Sequence, residues 1–532
     1  TALMQLYSEG KLALDDPVDK YLPELGLSAK DGEKPIRILD LMNHTAGFED
    51  RVIGLFSRMP EDVKPMSELL KAEPPARVRP PATHASYSNY GAGVAARLVE
   101  VISGKEWNDY VEQEILQPTG MRRTTFRQPV SASLAPMVSK GYSSEAGQLV
   151  EQPFEYVPMT AIGGASSTAA DMARYMIMHL QLGMIDSVVV LENATAKMMQ
   201  QPSFRHHPAV NPMRHGFMDF SQNEVTIIGH GGDTFWFHSL MAIFPGHNMG
   251  IFISFNTAEA NTDISNIVYT AVLADLVDHM FPERTPNQNR VEDSELEKYA
   301  GEYEMTRKPH SSIVKVMKLG RVAKVYPKDG LLAMNLGGNE SLWSSIGDDT
   351  FKSVESSEVI AFSGNENGIK NLYIGLYPIF VFDRISAVDS PGIQALIFVI
   401  TLILMLTALI FWQFAYMVRR GYREQRPQKL PLAAKFLAWF NAFFYITFFV
   451  LMGIGLSNPV EIVYGVPGII RFALVLPFLN VVLLLLMGFM AAWIWRENYS
   501  NRWSRIYYYS LVITFAVAIW QLNYWNLLGW NY

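Results

Sequence analysis

The chain of 532 residues has no cysteine, which excludes a disulfide-stapled scaffold. Charge is missing in places as well: residues 390–418, 436–460, 472–495 and 506–532 hold no Asp, Glu, Lys or Arg, leaving uncharged runs of 29, 25, 24 and 27 residues. Each is long enough to cross a bilayer as a helix, so a wholly soluble or disordered chain is excluded. Basic residues are scarce in the remainder. Residues from 391 onward hold ten basic against three acidic groups, so residues 1–390 carry 34 basic against 48 acidic. A surface that acidic repels phosphate backbones, and no nucleic-acid partner is expected. Metal signatures are lacking too. His206, His207 and His215 stand near no HExxH and no acid at ligand spacing, so they read as a surface loop, and no metal site is expected.

The uncharged runs make a lipid bilayer the first expected partner. Lys and Arg concentrate in residues 419–435, six basic against one acidic, and again at Arg496, Arg502 and Arg505 beside Glu497. Basic loops of this kind are expected on the cytoplasmic side, which puts residues 1–390 outside. No ionisable group lies within the uncharged runs, where Pro477, Asn441 and Asn480 are the irregular or polar residues of note. Helix packing accounts for these three, so the spans read as an anchor and not as a conduit, which would need buried ionisable groups.

Ahead of the spans, the pattern divides into a mixed α/β domain over 1–285, a polar linker over 286–298 and a small all-β barrel or sandwich over 299–386, with the four transmembrane helices over 391–532. Val94, Leu98, Val101 and Ile102 have helical spacing and stop at Gly104; Thr168 with Asp171 forms a capping-box pattern ahead of Met172, Tyr175, Met176 and Leu180. Residues 224–228, 235–244 and 250–255 read as strands, as do 313–318, 322–326 and 331–335. Ser312 and Lys315 spell SxxK, but in a strand they would point to opposite faces, so the match reads as coincidence.

Several spaced motifs then agree in order: TALMQLYSEGKLALDDPVDKY at Thr1–Tyr21, LMNHTAG at Leu41–Gly47, Tyr87-Ser88-Asn89 before a helix, ILQPTGM at Ile115–Met121, GGASSTAAD at Gly163–Asp171, and His230-Gly231-Gly232 before strands that end at Asn256. Over residues 1–260 the chain resembles the penicillin-binding-protein-like and class C β-lactamase-like serine hydrolases. The resemblance implies a β-lactamase-like fold of antiparallel sheet with helices, and acyl-enzyme chemistry without a cofactor. In that family a serine opens the helix whose later part corresponds to Thr1–Glu9, with a lysine one turn on. Both are expected upstream of Thr1, in a longer protein, and the chain as given is expected to be inactive.

Residue by residue, the resemblance makes Tyr87 the second-motif tyrosine, a phenolate general base if a nearby cation depresses its pKa. Asn89 would offer its amide to the substrate carbonyl. His230-Gly231-Gly232 takes the place of the usual Lys-Thr-Gly, which makes His230 a second catalytic candidate and Gly231, Gly232 and Asp233 substrate-binding candidates, the Asp233 N–H serving an oxyanion hole. His in place of Lys removes a permanent cation, which tilts the expected substrates from carboxylate-bearing ones towards esters or small amides. His44 is expected to bond backbone in a turn. The implied partner is a small-molecule ester or peptide, and the implied place is the outer face of a bacterial plasma membrane. A catalytically silent sensor on the same fold is the competing reading.

Overall fold

The computed structural model describes residues 1–29, 32–72, 74–259, 265–282, 289–422 and 430–532. They form two units, one of Thr1–His310 with Gly320–Arg384 and one of Ser311–Leu319 with Ile385–Tyr532. The expected linker residues 286–288 and loop residues 423–429 lie outside the described residues.

In the first unit, the helices ahead of the main sheet include α1 (Ala2–Ser8), α2 (Asn89–Ser103) and α3 (Ala169–Leu180). The α2 start follows from Ser88, whose hydroxyl accepts the Gly91 N–H at 3.1 Å, and its end from Gly104, which takes φ +72° and returns its N–H to Glu100 O at 2.9 Å. Of the box expected at α3, one half forms. Thr168 accepts the Asp171 N–H at 3.2 Å, while the Asp171 carboxylate turns to the Thr124 hydroxyl and the Arg123 N–H, each at 2.7 Å.

An antiparallel sheet of five strands follows in the order β1 (Met213–Arg214), β2 (Phe217–Asp219), β3 (Ile228–Asp233), β4 (His238–Phe244), β5 (Met249–Phe255), and α4 (Ser265–Met280) comes after it. Its two faces are readable in β4. Leu240, Ala242 and Phe244 pack with Tyr269, Leu273 and Val277 of α4, while Met241 and Ile243 join the core that holds Met4, Leu6, Val94 and Met176. A period of two thus puts the sheet between α4 on one side and the other helices on the opposite side. Residues 224–227, expected as part of a strand, are a turn: Asn223 and Glu224 have φ +51° and +62°, and β3 begins at Ile228. Val225 and Ile227 are buried all the same, which gave the stretch its strand-like pattern.

The all-β region is a closed antiparallel barrel of eight strands, β6 (Gly301–Met305), β7 (Val322–Lys328), β8 (Leu331–Leu336), β9 (Asn339–Gly347), β10 (Thr350–Ser353), β11 (Val359–Asn365), β12 (Gly368–Ile374) and β13 (Val381–Arg384), with β6 paired to β13. Its first hairpin turns on Asp329 and Gly330, at φ +54° and +77°, as a two-residue loop requires. Tyr303, Trp343, Phe351, Phe362 and Phe382 fill the interior, together with Leu296 and Tyr299 from the short helical turns just ahead of β6.

Among the described residues, the second unit contains four helices long and apolar enough to cross a membrane: Pro391–Ala415, Leu432–Gly455, Gly468–Arg496 and Arg502–Tyr524. Two pairs of their buried amide side chains meet between helices. Asn480 Nδ2 donates to Asn441 Oδ1 at 2.6 Å, and Gln521 Nε2 to Gln394 O at 2.8 Å. Residues 313–318, expected as a strand, belong to a 3-10 helix, Ile313–Gly320. Alternating apolar residues also satisfy a three-residue repeat, and here Ile313 and Val314 are buried in helical geometry. Ser312 and Lys315 therefore share a face, contrary to the strand reading, but the Lys315 ammonium is bonded to Tyr524 O at 2.6 Å and lies 4.4 Å from that ring's centre.

Candidate active site

Tyr87 sits where four segments meet. It directly precedes the Ser88 cap of α2, so the cap fixes the backbone behind it. Its ring centre lies 4.2 Å from that of His44 and 5.9 Å from that of His230, and the Arg307 guanidinium carbon lies 4.8 Å from it. Burial raises the Tyr87 hydroxyl pKa, Asp50 adds to the rise, and Arg307 opposes it.

His44 takes its place from the LMNHTAG turn. It has φ +54°; its Nδ1 accepts the Ser88 N–H at 3.2 Å and its carbonyl accepts the Ser86 N–H at 2.8 Å. The expected backbone bonding is present, and it also makes His44 the floor beneath Tyr87. Burial, with His230 and Arg307 nearby, pushes its pKa down to about 3, so the ring is neutral. Gly47 closes the same turn at φ +82°, and a Cβ there would lie 2.1 Å from Arg79 O.

The strand residues divide by side. Thr234 N–H bonds Phe237 O at 2.9 Å, and antiparallel alternation then aims the main-chain groups of Gly232 and His230 at β4 and those of Gly231 and Asp233 away from it. On that outer side β2 pairs with Ile228 and Gly229 and no further, so among the described residues β3 from His230 to Asp233 has an open edge. His230 Nδ1–H donates to Gly231 O at 2.5 Å, which leaves Nε2 as the acceptor of a neutral ring. Burial lowers the His230 pKa; the Gly231 carbonyl and Asp233 oppose the shift, and Arg307 adds a smaller push downward. A Cβ on Gly231 would lie 2.8 Å from the Tyr269 hydroxyl, whereas one on Gly232 would meet nothing within 4 Å. Gly231 is thus required by the helix behind it, and Gly232 leaves space on the face that His230 shares.

The Asp233 side chain is committed elsewhere: Oδ2 accepts the Tyr269 hydroxyl and Oδ1 the His238 Nδ1–H, both at 2.8 Å. Its main-chain N–H is what remains for the open edge. The hairpin tip beyond it is held by Glu155 Oε2, which accepts the Phe235 N–H at 3.0 Å. Asn89 occupies the first position of α2 and is half-buried, with no hydrogen bond from its side chain to a described residue. Tyr87, His230 and the Gly231–Asp233 edge therefore converge, with Asn89 two residues beyond Tyr87 at the helix start.

Two features went unread in the sequence. Arg307, two residues past β6, reaches Tyr87 from the barrel and pairs with Asp50 at 3.2 Å. Nothing in its local sequence distinguishes it, because the signal is the docking of a domain. The expected surface loop of histidines is overturned for His206 and His215. His206 Nε2 accepts the Ala85 N–H at 2.9 Å, and the ring stacks on Tyr373 of β12 at 5.0 Å; His215 is buried as well. His206 thus braces the segment leading to Tyr87 against the barrel. Among the described residues no group of His, Asp and Glu could hold a metal.

The beta-lactamase family model matches residues 1–274. Penicillin-binding protein 4 of Amycolatopsis lactamdurans is 26% identical over 302 residues, 53% of this chain and 75% of that protein. The D-alanyl-D-alanine-carboxypeptidase/endopeptidase AmpH of Escherichia coli (strain K12) is 27% identical over 180 residues, 34% of this chain and 45% of that protein. The chain spans less than half the length of several of the relatives it matches. The octameric penicillin-binding protein homologue from Pyrococcus abyssi aligns over 72% of this chain and 84% of that one, at 18% identity and a TM-score of 0.44. With its family model spanning 274 of 532 residues, the chain belongs to the beta-lactamase family of serine hydrolases.

Proposed function

We propose that residues 1–285 are the catalytic domain of a serine hydrolase that works through an acyl-enzyme on the outer side of a bacterial plasma membrane, tethered through the barrel region 299–386 to the spans of 391–532. The observation that carries the reading is the convergence of Tyr87, His230 and the open edge of β3. In this reading the nucleophilic serine and its lysine belong to sequence ahead of Thr1, because α1 matches the part of the family helix that follows them. The Tyr87 pKa is raised by burial, so in this reading Tyr87 takes the serine proton only as the phenolate, stabilised by the lysine ahead of Thr1, and then returns that proton to the leaving group. The Asp233 N–H, aimed along the open edge, supports the developing oxyanion together with the serine's own N–H. Gly232 leaves room for the substrate, Asn89 holds its amide carbonyl, and neutral His230 offers Nε2 as a hydrogen-bond acceptor.

Esters, D-amino-acid peptides and cell-wall-derived amides are the substrate classes this arrangement suits, in keeping with relatives named as D-alanyl-D-alanine carboxypeptidases. The basic loops at 419–435 and 496–505 favour a cytoplasmic side opposite the hydrolase.

A fluorophosphonate probe for active-site serines tests the proposal. The present chain is expected not to label, the longer gene product carrying the serine and lysine is expected to label, and Y87F in that product should slow labelling by about 100-fold or more. Labelling of the present chain, or Y87F labelling at the wild-type rate, overturns it; a longer product that carries no serine and lysine leaves the silent-sensor reading.

A further inference from the structure

We propose that Arg307, contributed by the barrel, is the cation that reads a substrate carboxylate at the Tyr87–His230 site, standing in for the lysine that His230 has replaced. The proposal deepens the hydrolase reading by naming its substrate class as one bearing a free carboxylate beside the carbonyl under attack.

The first support is position. The Arg307 guanidinium carbon is 4.8 Å from the Tyr87 ring centre, and its charge bears on His44, His230 and Tyr87, opposing protonation of both imidazoles. Among the described residues it is the one cation whose charge acts on all three groups. His230 is held neutral, so no other fixed positive charge is provided at the strand.

The second is pre-organisation. Arg307 lies on a short arm whose backbone is fastened on both sides. Towards the barrel, the Met305 N–H bonds Arg321 O at 3.1 Å and the Thr306 N–H bonds Val381 O at 2.8 Å. Towards the hydrolase domain, the Asp50 N–H bonds Lys308 O at 3.2 Å and the His310 N–H bonds Glu49 Oε2 at 2.5 Å. An arm needed only to cover the site would not have to deliver a guanidinium to the ring of Tyr87.

The third is chemistry to spare. The Asp50 carboxylate lies 3.2 Å from Nε as an ion pair without a hydrogen bond, neither terminal nitrogen of Arg307 donates a hydrogen bond to a described residue, and 29% of the side chain stays exposed. Those two nitrogens form the planar fork that suits a carboxylate. The buried Asp50 carboxylate anchors the group and lowers its net field, so it favours a close anion that bonds the fork over a distant one.

The test titrates N-acetyl-D-alanyl-D-alanine and its C-terminal amide onto the full chain in detergent micelles, following binding by calorimetry with melting curves as folding controls. The acid should bind about tenfold more tightly than the amide. R307Q should abolish that ratio by weakening the acid alone, and R307K should keep part of it. D50N, which removes the competing carboxylate, should raise the ratio and serves as the readout if R307Q does not fold. Equal binding of acid and amide, absence of binding of either, or an unchanged ratio in a folded R307Q overturns the proposal. Turnover of an uncharged ester by the longer gene product separates the two readings. An intact acid preference with no ester turnover defeats the hydrolase reading and leaves this one; equal ester turnover by wild type and R307Q with no acid preference does the reverse.

Discussion

The two largest sheets of the first unit handle their edges in opposite ways. The barrel of eight strands closes β6 onto β13 and has none, while in the five-stranded sheet β2 abandons β3 at Gly229 and leaves the outward main-chain groups of Gly231 and Asp233 without a strand partner among the described residues. An open edge costs a protein protection against pairing with other chains, and it is kept where something is meant to lie against it. The closed sheet offers stiffness instead. What the barrel brings to the site comes from its margins: the Arg307 arm after β6, and the Asp383, Asn371 and Tyr373 side chains that meet Arg79, His84 and His206.

The contrast is broken most severely by filling β3 at its last paired residue. A Cβ on Gly229 would lie 1.9 Å from Met241 O, a backbone atom that cannot move without parting β3 from β4. G229A should therefore cost the fold of the sheet, read as loss of the cooperative melt of the first unit. In the barrel the counterpart is Phe362, 1% exposed and packed on Tyr299, Tyr303 and Phe351. F362A should lose about 3–5 kcal/mol, measured by chemical denaturation. Because the arm is fastened to barrel backbone, F362A should also loosen Arg307 and erode any acid preference, although Tyr87 and β3 are untouched.

A gentler change addresses the edge alone. Y269F removes one hydrogen bond from the Asp233 carboxylate and leaves His238 on the other oxygen. The expected loss is about 1 kcal/mol of stability, with ligand binding weakened by less than tenfold because the Asp233 main chain is still held by β4. A melting curve and the same titration read both; binding abolished in a variant that melts normally would mean that the Asp233 side chain itself, and not its N–H, meets the ligand.

How far the sequence foretold this arrangement depends on the range of the forces concerned. The long apolar helices and the end of α2 at Gly104 depend on local composition, and both stand as expected. Short apolar stretches were ambiguous. Residues 313–318 fit a strand by alternation and are a 3-10 helix, and Val225 and Ile227 are buried just after a left-handed turn at Asn223 and Glu224. At the site, Tyr87, His230 and the glycines were marked by motif spacing. Arg307 and His206 carry no local mark, because each acts across the contact of two domains distant in sequence. The inference that His230 leaves the site without a cation was sound for the strand and incomplete for the molecule.

The smallest expected effect concerns the brace between the two sheets. His206 accepts the Ala85 N–H through Nε2, so its proton must sit on Nδ1, and a second proton would set two donors against each other. Burial, with His84 nearby, pushes its pKa down to about 3 from an ordinary value of 6.5. A base whose folded pKa is depressed stays neutral in the native state while the unfolded chain takes up the proton. Its contribution is complete above pH 6.5 and is lost as the pH falls towards 3, with a limiting slope of about 1.4 kcal/mol per pH unit. His44 behaves alike, so the wild-type melting temperature should fall steadily from pH 7 to pH 4. H206Q keeps an oxygen to accept the Ala85 N–H and has nothing to titrate. Its melting temperature should be slightly lower than wild type at pH 7, where the stack on Tyr373 is weakened, and should decline less steeply below pH 6. Parallel curves for the two proteins would mean that His206 is reached by solvent at low pH and that the barrel is braced to the Tyr87 segment through Arg79 and His84 instead.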